Sequence, residues 1–221
     1  MYFFELFVKH FTSFVDAMGE TIQITLFSLF YASILGIVFG LMKVSQNKFL
    51  RAISNTYIWI IRGTPLLVQI YFIYFGVPMA SGISLTEWQA GVITMSLNAG
   101  AYMAEIVRGG IESVDIGQME AARSLGLTYQ KSMRKIILPQ ALRTMLPSII
   151  NQFIITLKDT SLLSVIGVRE LTMNGKIITA NNMETIRMWG IVAVYYLAVI
   201  SVLTVIANKV EKRISANRKT A

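Results

Sequence analysis

Residues 120–139 read EAARSLGLTYQKSMRKIILP, a polar and basic stretch set between long apolar runs. Its local chemistry predicts two short helices over about 112–139. Asp115 suits a helix start, and Gln118, three residues on, is placed to reach back to it. Gly126 suits a left-handed C-terminal cap, and Thr128 suits a second helix start. Met119, Ala122 and Leu125 recur at spacing three, with Arg123 facing elsewhere. Ala121 and Ala122 are then exposed, and small side chains let another surface approach closely. The plain alternative is a hairpin that only connects two membrane spans.

The surroundings are a membrane protein's. Hydrophobic residues make up 54% of the 221, and the mean hydropathy is +0.58, too apolar for a water-soluble domain of this size. A spanning helix needs about 20 apolar residues at about 1.5 Å each. Spans are predicted at roughly 21–42, 55–76, 88–107, 145–166 and 187–208. The second and fourth carry prolines and charges. The expected fold class is all-α integral membrane: five transmembrane helices in one domain, 1–221, with a cytoplasmic helical loop. The longest polar connection, about 108–143, is too short to bury a core of its own. The chain has no cysteine, so cysteine usage says nothing of redox compartment or thiol chemistry.

Residues 1–20 carry Glu5, Asp16 and Glu20 against Lys9 alone, unlike the basic start of a cleavable signal peptide. Tyr2, Phe3, Phe4, Leu6, Phe7, Phe11 and Phe14 predict a short amphipathic helix at the membrane interface, with a frayed apolar terminus as the alternative. The net charge of +8 is unevenly spread. Lys43, Lys48 and Arg51 fill the first connection. Arg108, Arg123, Lys131, Arg134, Lys135 and Arg143 fill the third, and Lys209, Lys212, Arg213, Arg218 and Lys219 form the tail. The opposite side holds only Lys9, Arg169, Lys176 and Arg187. The positive-inside rule predicts an external N-terminus and a cytoplasmic C-terminus. Orientation and anionic lipid account for the basic surplus, and nucleic acid is not needed.

The 120–139 stretch resembles the EAA loop of bacterial ABC-importer permeases: E-A-A, three residues, Gly, nine residues, I-x-L-P. Glu120, Ala121, Ala122, Gly126, Ile136, Leu138 and Pro139 fall on its positions. TIQITLFS at 21–28, IRGTPLLVQIYFIYFG at 61–76, NAGAYMAEIVRGGI at 98–111 and LPSIINQFIITLKDTSLLSVIGVREL at 146–171 are similar to the subfamily for polar amino acids of the histidine, arginine, glutamine and cystine type. The resemblance implies the type I importer fold in a bacterial cell membrane, with the loop coupling to a cytoplasmic ABC ATPase present in two copies. It also implies a second permease, identical or related, and an extracytoplasmic substrate-binding protein. ATP and Mg²⁺ then belong to the partner, and the chain itself is no enzyme and binds no cofactor. Which amino acid is carried stays open.

The buried polar residues are read without the family. A charge inside a bilayer faces protein or a water-filled cavity. Lys158, Asp159, Thr160 and Ser161 follow one another in the fourth span. Lys158 lies about 20 Å in from the cytoplasmic side and Asn98 about 15 Å in from outside, near one level. Tyr102 is one turn from Asn98 on the same face. Lys158, Thr160 and Asn98 can donate to a carboxylate and Asp159 can accept from an ammonium; the alternative is an interhelical network. Arg62 and Glu105 are expected to form an ion pair near an inner gate, with snorkelling to the headgroups as the alternative. Pro65, after Gly63 and Thr64, is expected to bend the second span. The lone His10 makes no metal site, and no Walker glycine loop is present. Gly36, Gly40, Gly91 and Gly100 permit close helix approach within or between subunits. An ion-coupled secondary amino-acid transporter and a membrane scaffold are the rival readings. Five spans without a visible inverted repeat weigh against the first, and the mid-depth charges weigh against the second.

Overall fold

The structure, a computed structural model, describes residues 2–219. The tail side chains of Arg213, Arg218 and Lys219, used above for orientation, lie outside the described set, as does Ala221. Among the described residues every regular element is helical. In order these are α1 (Tyr2–Lys9), α2 (Phe11–Lys43), α3 (Lys48–Arg62), α4 (Leu66–Tyr71), a π-helical turn (Phe72–Gly76) and α5 (Val77–Ser81). Then follow α6 (Glu87–Glu112), α7 (Ile116–Ser124), α8 (Tyr129–Ser132), a second π turn (Met133–Ile137) and α9 (Leu138–Asp159). A 3₁₀ stretch (Thr160–Ile166), α10 (Leu171–Asn182) and α11 (Thr185–Lys219) complete the chain. Four helical stretches are long and apolar enough to cross a membrane, and the bent pair of α3 with Leu66–Ser81 makes a fifth.

Helices α2 and α6 form the centre. The buried side of α2 runs Phe14, Met18, Thr21, Ile24, Ser28, Ala32, Gly36, Gly40, a stripe of spacing three and four. Its other side exposes Leu26, Phe30, Ile34 and Ile37, as a lipid-facing surface does. A side chain at Gly36 would put its Cβ 2.4 Å from Met103 Cβ, and one at Gly40 would lie 2.6 Å from Val107 Cβ. The small residues therefore serve packing within this subunit, where dispersion between close backbones holds membrane helices together.

Residues 11–20 correct the expectation of an interfacial helix over 1–20. The helix breaks at His10, and Phe11–Glu20 are the first turns of α2. Phe14 and Met18 continue its buried stripe against Leu171, Met188 and Ile191, and that burial outweighs interfacial placement.

The second span is no single helix. Its two halves meet at 101°. Pro65 has no N–H and takes an extended ψ of 137°, so α3 stops at Arg62. The carbonyls this frees need donors at membrane depth. The Gly63 N–H donates to Trp59 O at 2.9 Å and Thr64 Oγ1 to Ile60 O at 2.9 Å. Gln69 Nε2 reaches back to Ile61 O at 2.7 Å and Thr64 O at 3.1 Å. Side chains thus repair the break that proline opens.

The fourth span begins inside the stretch read as a loop. Tyr129–Ile166 is one long helical run, and it changes from α to 3₁₀ winding at Thr160, within the Lys158–Ser161 cluster. Helix α10, which the hydropathy did not show, packs at the end of the bundle away from the 120–139 loop. Its Glu170 cap is buried and accepts from the N–H groups of Thr172 at 2.8 Å and Met173 at 2.7 Å. The Tyr196 hydroxyl donates to the same carboxylate at 2.9 Å and ties α10 to α11.

Two outcomes follow from this packing. Gly36→Ala lowers the stability of the detergent-purified protein by about 1–3 kcal/mol through overpacking, while Gly19→Ala, which meets nothing within 4 Å, is neutral. Equal thermal midpoints for the two variants would mean that α2 and α6 do not approach here. For Glu170, burial pushes the carboxyl above the usual glutamate range, and hydrogen bonds from Thr172, Met173 and Tyr196 pull it back. A raised carboxyl contributes stability that is full below the unfolded-state value and is lost as pH rises through the folded value. Thermal midpoints measured from pH 4 upward therefore decline more steeply in the parent than in Glu170→Gln, and parallel curves would remove Glu170 as the cause.

Candidate functional site: a membrane cavity above an exposed loop

A cavity of about 620 Å³ lies where the end of α3 meets α6 and α9. Arg62 comes from α3, Tyr102, Glu105, Gly109 and Gly110 from α6, and Thr144, Ser148, Asn151 and Gln152 from α9. Tyr102 and Glu105 share the cavity because they lie three residues apart on one helix face. Arg62 reaches them because the chain breaks one residue later. The Arg62 guanidinium carbon sits 5.0 Å from the Tyr102 ring centre, within cation–π range.

Glu105 is an electrostatic hub. Lys43 Nζ is in direct contact with Glu105 Oε1, Arg108 Nε donates to Oε2 at 2.8 Å, and Arg62 Nη1 stands 3.8 Å from Oε1. Arg108 also pairs with Glu112. The sequence pairing of Arg62 with Glu105 therefore has two further cations in it, and both lie closer. Lys43 comes from the far end of α2, a distance in sequence that periodicity does not bridge.

The residues proposed from sequence as a substrate set divide. Tyr102 lines the cavity. Asn98, one turn away, donates through Nδ2 to Gln69 Oε1 at 3.0 Å. It thereby holds the side chain that repairs the Pro65 break. Lys158, Asp159, Thr160 and Ser161 lie beyond the cavity lining, about 10 Å along α9 from Asn151. Thr160 is fully buried and donates to Leu157 O at 2.7 Å. Lys158 is exposed, and among the described residues no ion pair joins it to Asp159. Sequence reading missed Ser148 and Asn151; their period in α9 follows Thr144 at spacing three to four, a signal present but unremarkable among apolar neighbours.

The 120–139 loop follows its sequence chemistry closely. Asp115 Oδ1 accepts from the Gly117 N–H at 2.7 Å and starts α7. Gln118 does not reach back to it; its Oε1 instead takes Gln140 Nε2 at 3.5 Å, which ties the loop to α9. Gly126 has φ +83°. Its N–H donates to Arg123 O at 3.0 Å and the Leu127 N–H to Ala122 O at 3.1 Å, the paired closure of a left-handed cap. Thr128 Oγ1 accepts from the Lys131 N–H at 3.4 Å. Ala121 is exposed, as expected, but Ala122 is buried, because its side of α7 turns toward the helical run that follows while Glu120 and Ala121 face out. Ile116 and Leu125 are 74% and 83% exposed, an apolar surface at the tip of a basic loop. Ile136 and Leu138 pack beside Val107, Ile111 and Met145, and Pro139 opens α9. The loop is thereby rooted on the two helices that wall the cavity.

The sequence profile of binding-protein-dependent transport system inner membrane components matches residues 32–216. The glutamine transport system permease protein GlnP of Escherichia coli (strain K12) is 41% identical over 200 residues, covering 90% of this chain and 91% of that one. The arginine transport system permease protein ArtQ of Bacillus subtilis (strain 168) is 35% identical over 206 residues, covering 92% and 93%. Among solved structures, the crystal structure of an amino acid ABC transporter with histidines superposes with a TM-score of 0.90 at 37% identity, covering 95% of this chain and 98% of that one.

The Glu105 hub yields an asymmetric outcome. Glu105→Gln leaves Lys43, Arg62 and Arg108 facing one another and lowers thermal stability by about 1–2 kcal/mol. Lys43→Met leaves Glu105 paired with Arg108 and costs less, since one cation of three is removed. Thermal melts of the two variants in low salt check this, and the gap narrows in high salt as the partly exposed charges are screened. Equal losses in both would rule out the hub.

Proposed function

The chain belongs to the family of binding-protein-dependent transport system inner membrane components, and on that premise we propose that it is the permease subunit of an ATP-driven importer of polar amino acids. The observation that carries this is the shared ownership of two helices. α6 and α9 wall the cavity and also flank the exposed loop, so a displacement of the loop is a displacement of the cavity walls. A cytoplasmic ATPase pair docks on Ile116, Glu120, Ala121 and Leu125 and uses ATP with Mg²⁺; this chain performs no covalent chemistry. The N-terminus is outside and the C-terminus cytoplasmic, as the basic asymmetry favours. A second permease copy or relative completes the pathway, and an extracytoplasmic binding protein delivers the ligand.

The amino acid passes Lys158, Asp159, Thr160 and Ser161, then Asn98 and Tyr102, and reaches the cavity where Asn151 offers an unspent amide. Lys158 and Arg62 suit its carboxylate and Asp159 and Glu105 its ammonium, because a zwitterion leaving water needs partners of both signs. Asn98 also keeps the Pro65 break in shape. Arg62 and Glu105 stand at the inner gate. The relatives that carry glutamine and arginine in their names support a polar amino acid as cargo.

The test is the intact complex, purified through this chain and reconstituted, with uptake and ATPase activity measured together across the amino acids. Asn151→Leu reduces uptake by about tenfold, the equivalent of about 1.4 kcal/mol in one lost hydrogen bond, and leaves basal ATP hydrolysis unchanged. Gly126→Val abolishes both stimulated hydrolysis and copurification of the ATPase, because its backbone conformation excludes a β-branched side chain. Uptake that persists without any ATPase and follows an ion gradient would establish the secondary transporter instead.

A further inference from the structure

At the loop-bearing end of the bundle a second cavity, about 590 Å³, opens between the α2–α3 elbow, the end of α6 and the start of α8. Lys43, Arg51, Asn55, Arg108, Glu112 and Tyr129 line it. Its cations are not equivalent. Lys43 and Arg108 are engaged by Glu105, and Arg108 by Glu112 as well. Arg51 has no carboxylate partner among the described residues. Its Nε and Nη2 both donate to Ser45 O, at 3.3 and 2.9 Å. That spends one edge of the guanidinium and fixes its plane. The Nη1–Nη2 end keeps two parallel N–H groups, the geometry that takes two oxygens of a phosphate.

Asn55 lies one turn along α3 from Arg51, on the same face. Its side-chain amide and the Tyr129 hydroxyl make no hydrogen bond among the described residues. The cavity therefore offers a held guanidinium, an amide and a phenol, all with unspent donors. One turn beyond Asn55 on this face, the same helix exposes Trp59, and α2 exposes Leu41. Polar donors thus adjoin an apolar surface at the end of the spans, where headgroup meets hydrocarbon.

We propose that this cavity seats the phosphate of an anionic phospholipid on Arg51, Asn55 and Tyr129, with the acyl chains along Trp59 and Leu41. The net positive lining favours an anionic headgroup over a zwitterionic one, whose cation would meet Lys43 and Arg108. Tyr129 starts the helical run that leads from the exposed loop into α9, so a seated lipid pins that run to the elbow. The site does not depend on which ligand is transported. It uses the proposed orientation only to name the leaflet, the cytoplasmic one.

Native mass spectrometry of the full-length purified chain, titrated with phosphatidylglycerol or phosphatidylcholine, tests it. The parent retains phosphatidylglycerol about tenfold more tightly than phosphatidylcholine. Arg51→Gln and Tyr129→Phe each weaken phosphatidylglycerol retention, and Arg51→Gln narrows its preference over phosphatidylcholine, at an unaltered thermal midpoint. If Arg51→Gln does not fold, Asn55→Leu takes its place in the comparison. Inorganic phosphate in large excess does not displace the lipid. Equal retention of the two lipids, indifference to the substitutions, or displacement by inorganic phosphate would each overturn the proposal, the last by making the cavity a site for soluble anions. None of these results depends on ATPase coupling, so the transport reading stands or falls separately.

Discussion

A backbone carbonyl in hydrocarbon must find a donor, and this requirement shapes the molecule at the sharp break after α3. Pro65 removes an N–H and ends α3 at Arg62. Thr64 and Gln69 then supply the missing donors, and Asn98 on α6 holds Gln69 in place. Because the chain turns by 101° there, Arg62 is delivered to Tyr102 and Glu105 instead of continuing along a straight span. The cavity depends on that turn.

Two kinds of interaction hold the rest. In the centre, close approach at Gly36 and Gly40 lets α2 and α6 pack backbone to backbone, where only dispersion is available. At the loop-bearing end, charge replaces packing: Glu105 gathers cations from α2, α3 and α6 itself. The packed half is suited to rigidity. The charged half, partly exposed and screened, is suited to movement. That division places the adaptable part of the bundle beside the loop through which movement would arrive.

The loop gains its stiffness locally. Caps at Asp115, Gly126 and Thr128 bound its two helices with contacts local in sequence. Gln118 and Gln140, with the apolar cluster around Ile137 and Met145, then anchor it to α9. A stiff element rooted on two cavity walls transmits displacement, whereas a flexible connector would absorb it.

The sequence by itself determined what is local or periodic. Hydropathy located the bilayer-crossing stretches, capping chemistry located the loop helices and the left-handed turn at Gly126, and proline marked the break. The Arg62–Glu105 proximity was legible because both charges sat near one depth. Tertiary structure alone decided the rest. That Lys43 reaches Glu105 across 62 positions is a consequence of α2 crossing α6, which no spacing encodes. That Asn98 braces Gln69, while Asn151 borders the cavity, depends on helix rotation, and rotation is set by which face packs. The second half of the helix expected over residues 1–20, Phe11–Glu20, became the start of α2 for the same reason: amphipathic spacing reports that a face is apolar, and only the assembled bundle determines whether protein or lipid covers it.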